Sequence, residues 1–108
     1  MNEYNTIVDG FDIKLTFEHE EISPIDIYGE DHEEIDSICE RINQGIDAWV
    51  VAKVTASKKD VELATEYLGA VHYSWDELDN FRNDGYFEDM VNTVIGEAEI
   101  KLQELRAT

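Results

Sequence analysis

The chain has 108 residues and carries 26 Asp and Glu against 8 Lys and Arg, a formal charge of −18. One domain is the natural count for that length. A hydrophobic share of 43%, with two Trp, five Tyr and four Phe, argues against a disordered polyanion. The charge also disfavours direct nucleic-acid binding, because the cations are few and only Lys58-Lys59 are adjacent.

The start reads as a β-hairpin. Tyr4 to Val8 is short and β-prone, and Asp9-Gly10 suits a type I′ turn, which needs positive φ at both central positions. Phe11, Ile13, Leu15 and Phe17 then alternate with Asp12, Lys14, Thr16 and Glu18, the pattern of a half-buried strand. Residues 18–34 hold the single proline, Pro24, and Gly29, and read as a long acidic connection. No Lys or Arg occurs between Lys14 and Arg41.

A helix follows, with Asp31 and Glu34 in capping-box spacing and Ile35, Ile38, Cys39 and Ile42 on one stripe. Cys39, the single cysteine, is expected as a reduced core residue. Gly45 supplies a stop. Ala48 to Ala56 reads as a central strand, Ser57 to Asp60 as a turn, and Val61 to Tyr73 as a second strand bent or bulged at Gly69. Ser74 and Glu77 again have capping-box spacing and begin a short helix to about Arg82. Asn83-Asp84-Gly85 breaks it. The last helix has Phe87, Met90, Val91, Val94, Ile95, Ala98, Leu102 and Leu105 on one stripe, with Gly96 read as a close-packing position. The order β-β-α-β-β-α-α implies an α+β domain: a four-stranded antiparallel sheet with helices mainly on one face.

Catalytic and metal motifs fail on inspection. The acids from Asp26 to Asp36 lack the order of a calcium-binding EF-hand loop. His32-Glu33-Glu34 opens like a zincin motif, but Asp36 stands where the second His ligand is required. His19 and His32 read as solvated, and His72 as structural. There is no serine nucleophile elbow, no Gly-rich phosphate loop and no cofactor motif. The expectation is a non-enzymatic protein without a cofactor or metal.

The acids fall into two sectors. The first holds Glu18, Glu20, Glu21, Asp26, Glu30, Asp31, Glu33 and Glu34, and the second is built on Asp76, Glu77 and Asp79, continuing to Asp84, Glu88 and Asp89. Either they form a partner-binding surface or they are solvated faces and helix caps. Tyr28, Tyr73, Trp75 and Tyr86 are candidate anchors within that field, with ordinary packing as the alternative. A globule of this length spans roughly 30–35 Å. Duplex DNA of that length carries about 18 charges. The match suggests a DNA mimic; acidity serving only solubility is the competing account.

Trp49-Val50-Val51-Ala52-Lys53-Val54, Tyr67-Leu68-Gly69 and Asp84-Gly85-Tyr86-Phe87-Glu88-Asp89-Met90-Val91 resemble segments of small uncharacterised acidic proteins of phages and prophages, mainly across residues 49–97. The resemblance carries no function or site. By charge and class it implies an analogy to anti-restriction and anti-CRISPR inhibitors. The partner so implied is a basic nucleic-acid-binding protein of the host. A structural or accessory protein, as a homodimer with incidental acidity, is the alternative. The start Met-Asn-Glu-Tyr has no basic segment followed by an apolar run, and no apolar stretch approaches a membrane span. The expected location is therefore cytoplasmic, in the host cell for a phage product, without membrane contact.

Overall fold

The computed structural model describes residues 3–107; Met1, Asn2 and Thr108 lie outside them, including the first two residues of the start used above against a leader. Strands β1 (Tyr4–Val8), β2 (Phe11–His19), β3 (Asp47–Lys58) and β4 (Val61–Ser74) form one antiparallel sheet in the order β1-β2-β3-β4. Helices α1 (Pro24–Tyr28) and α2 (Ile35–Asn43) lie between β2 and β3. A 3₁₀ helix (Trp75–Asn83) and helix α3 (Tyr86–Ala107) follow β4. The chain is an α+β protein with the expected element order.

Local chemistry explains the turns. Asp9 and Gly10 have φ of 51° and 82°, as a type I′ hairpin needs. The second hairpin is tighter than its sequence suggests. Its strands run to Lys58 and from Val61, leaving Lys59 and Asp60 at φ of 53° and 65° without a glycine. Gly69 marks a bulge as expected: Ala52 faces Leu68 while Val50 faces Val71, so β4 has one extra residue there. It is Ala70, not Gly69, that takes the left-handed conformation, at φ 57°.

One sheet face carries the core. Phe11, Ile13, Leu15 and Phe17 of β2 and Ala48, Val50, Ala52, Val54 and Ala56 of β3 are buried with Leu78, Phe81, Met90, Val91, Val94, Ile95 and Ala98. The α3 stripe thus packs as its spacing predicts, except at its end, where Leu105 is exposed. Gly96 is also exposed, and an added Cβ there would meet nothing within 4 Å, so it serves no close contact. Phe81 sits at the centre, edge-on to Phe17 and Tyr73.

Both capping boxes are absent. Helix α2 begins at Ile35 with Glu34 as N-cap and no side-chain capping bond; Asp31 lies in the preceding turn. Ser74 likewise makes no side-chain cap, and the segment it leads is 3₁₀. Cys39 is half-buried, not core. The acidic connection is more ordered than its composition suggests: it contains α1, which Ser23 caps through its Oγ accepting from Ile25 N–H, with Pro24 in the first turn.

Candidate functional site: an acidic cap and an aromatic crevice

The opposite sheet face is covered only at one end. There α1, α2 and their flanks form a cap over Trp49, which is 3% exposed and lies outside the main core. The Trp49 indole N–H donates to the Ile22 carbonyl at 2.7 Å, and its ring packs on Tyr28 and His72 at 5.8 and 6.0 Å. Tyr28 in turn stacks near His32, whose Nδ1 accepts from Glu34 N–H. The acid-rich segment is therefore held in a definite shape by one buried indole.

The predicted acids divide by environment. Glu18, Glu21, Asp26, Glu30, Asp31, Glu33 and Glu34 are exposed on or beside the cap. Glu20 is not available to a partner. It is 8% exposed, and its carboxylate accepts from Ile22 N–H at 3.1 Å and Ala70 N–H at 2.9 Å, joining the cap to the β4 bulge. Asp76, Glu77 and Asp79 are exposed on the 3₁₀ helix. Tyr4 and Arg82 lie beside Asp79 in a shallow concavity, and the Arg82 guanidinium sits 4.2 Å from the Tyr4 ring centre.

A polar cluster around one buried carboxylate has no signature in the sequence. Asp47, 6% exposed, accepts two bonds of 2.9 Å from Arg41 Nε and Nη2, and its Oδ2 lies 2.9 Å from His72 Nε2. The fork-shaped Arg41 contact, with a smaller contribution from His72, holds the Asp47 carboxyl below its ordinary value against the opposing effect of burial. Nothing in the spacing Arg41…Asp47…His72 signals this; the strand register makes it, by placing His72 opposite Trp49, two residues along from Asp47. Arg41 is the one cation of residues 15–52 and is committed to Asp47, so the exposed cap acids have no lysine or arginine near them in sequence.

Three of the four candidate anchors meet in one place. Tyr28, Tyr73 and Tyr86, with His72 and Phe81, line a crevice of about 330 Å³ along β4 beside the Gly69-Ala70 bulge. Trp75 is exposed and does not line it. The crevice joins the two sectors, because Tyr28 precedes Glu30 and Asp31 while Tyr86 lies between Asp84 and Glu88. At the other end of the sheet's open face, a broader concavity is lined by residues of both charges, among them Lys14, Lys53, Asp12, Asp60 and Glu62.

Among the described residues no three His, Cys, Asp or Glu converge as a metal-binding group, and no helix is long and apolar enough to cross a membrane. No protein-family model matches the chain, and no curated protein or solved structure is significantly similar to it.

Proposed function

We propose that the protein is a non-enzymatic, phage-type inhibitor whose acidic cap occupies the basic nucleic-acid-binding surface of a host defence or DNA-processing protein. The observation that carries this reading is the cap itself. Seven exposed carboxylates from Glu18 to Glu34 lie on a segment that has no Lys or Arg of its own and is pinned by Trp49 and Glu20, and Arg41, the next cation along the chain, is bound to Asp47. A fixed, strongly acidic surface steers a basic partner and loses little order on binding. Cytoplasmic action follows from the same proposal.

The molecule as a whole does not match a DNA duplex in length and charge. The molecule measures 53 × 25 × 20 Å, not roughly 30–35 Å. Its net charge is about one per 3 Å of length, against about one per 1.7 Å of duplex. Mimicry here is local to the cap.

The test is affinity capture from nuclease-treated host lysate at low and moderate salt. The expected result is a nucleic-acid-binding protein, displaced by DNA and by salt. Replacing Glu30, Asp31, Glu33 and Glu34 with their amides should weaken that complex by roughly tenfold or more. Unchanged affinity would remove the cap from the interface. One observation favours the homodimer alternative: Val61, Ile100 and Leu105 are exposed apolar residues, and Val61 and Leu105 line one concavity at the far end, where α3 meets β4. Dimerisation there would resist salt and leave the cap variant unaffected.

A further inference from the structure

We infer that the aromatic crevice along β4 receives an arginine side chain of the basic partner. The inference deepens the proposed docking function and rests on it. The crevice follows the edge of β4 and takes rings from both sheet faces: Tyr28 of α1 and His72 of β4, both packed on Trp49, line it from one face, and Tyr73 of β4 with the buried Phe81 of the 3₁₀ helix from the other, with Tyr86 of α3 also in its lining. At about 330 Å³ it lies at the small end of ligand pockets, a size for a side chain more than for a cofactor. Among the described residues no Lys or Arg lines it, so no internal cation competes.

The crevice is both built and open. Trp49 and His32 hold the Tyr28 ring, and Asp47 holds His72 through the 2.9 Å contact. Tyr86, 58% exposed, leaves the crevice open to an incoming group. Exposed Glu30, Asp31, Asp84 and Glu88 follow or bracket its two outer tyrosines in sequence. Aromatic faces attract cations, and a guanidinium is planar, weakly hydrated and always charged, so it approaches a ring more closely than a strongly hydrated ammonium does. The chain shows the order within itself: Arg82 lies 4.2 Å from the Tyr4 ring centre, Lys58 5.1 Å from that of Phe11 and Lys53 5.8 Å from that of Tyr67. Among the described residues no acid lines the crevice itself, but the carboxylates of Glu30, Asp31, Asp84 and Glu88 lie within three residues of its outer tyrosines and the net charge is −18, so an acidic group is repelled there and a cation is drawn in.

The experiment titrates the whole protein with nona-arginine and nona-lysine peptides at low salt, following aromatic side-chain resonances by NMR. Nona-arginine should bind more tightly and shift Tyr28, Tyr73, Tyr86 and His72 first. Tyr86→Ala should lower its affinity roughly fivefold, and Tyr86→Phe should restore it to within about twofold. Tyr86 is largely exposed, so both variants should keep the melting temperature of the parent. Equal affinity for the two peptides, or an Ala variant that binds as the parent does, overturns the arginine site and leaves docking of a basic partner standing. Failure of both peptides to bind overturns both.

Discussion

Glu20 and Asp47 are two acids of 26 whose side chains the fold has taken out of solvent, and each makes a sharp prediction. Above Gly69, an added Cβ would sit 2.8 Å from Glu20 Oε2, closer than real contacts allow. Gly69→Ala must therefore displace the carboxylate by a few tenths of an ångström and so strain its bond to Ala70 N–H. The expected cost is about 1–2 kcal/mol, the range for an impaired charge-assisted hydrogen bond. Glu20→Gln should cost a similar amount, because an amide offers one acceptor oxygen where two are used. In the double variant the effects should fall well short of additive, since both act on one carboxylate. Denaturant midpoints for the four proteins check this; strict additivity would separate Gly69 from Glu20. Asp47 acts through pH. Its folded carboxyl titrates below its ordinary value of 3.8. Its stabilising contribution is therefore present above that value and is lost as pH falls through the lower, folded one. Asp47→Asn should destabilise by about 1–2 kcal/mol at pH 7, and the gap to the parent should close as pH falls below 3.8. A gap that is constant with pH would mean the charge of Asp47 is not what stabilises the fold. Neither role was legible in the sequence. Glu20 stands among similar acids, and Asp47 meets Arg41 and His72 only once β3 and β4 are in register.

At the level of elements, the fold is legible in the sequence where one local signal suffices. The alternation of β2, the Asp9-Gly10 turn and the α3 stripe each carry their own periodicity or φ requirement, and they appear as read but for the exposed end of the stripe at Leu105. The fold is not legible where a local signal competes with tertiary contacts. The Asp31…Glu34 and Ser74…Glu77 patterns offered caps that the chain does not use. In the second case Leu78 and Phe81 are drawn into the core, and the segment is wound as 3₁₀. The Lys59-Asp60 turn shows a residue choice against local preference. Both residues are left-handed, where glycine is favoured and an ordinary side chain costs roughly 1 kcal/mol. Asp60→Gly should therefore stabilise by no more than about 0.5 kcal/mol, after allowance for the greater freedom of glycine in the unfolded chain. Thermal melting at fixed salt checks it. A loss of stability would show that the Asp60 side chain contributes more to the hairpin than its backbone strain removes.

For the whole molecule, the net charge sets two opposite responses to salt. Like-charge repulsion within a 53 × 25 × 20 Å body opposes folding. At 0.1 M ionic strength the Debye length is about 10 Å, and at 1 M about 3 Å. Carboxylates spread across the body repel one another over several Debye lengths in high salt and over far fewer in low salt. Raising NaCl from about 0.05 to 0.5 M should thus raise the denaturant midpoint of the isolated protein. The same screening weakens attraction between the cap and a basic partner, so affinity should fall over the interval in which stability climbs. The opposition separates the two accounts of the charge. Acidity serving only solubility predicts the first response and no second, because nothing is recognised through the carboxylates. A docking cap predicts both. The amide variant at Glu30, Asp31, Glu33 and Glu34 then sharpens the distinction. It should stabilise the free protein at low salt by removing repulsion, while weakening the complex and flattening its salt dependence. Parallel unfolding and binding titrations of parent and variant measure this. A variant that gains stability and keeps its affinity would assign the cap's charge to solubility alone.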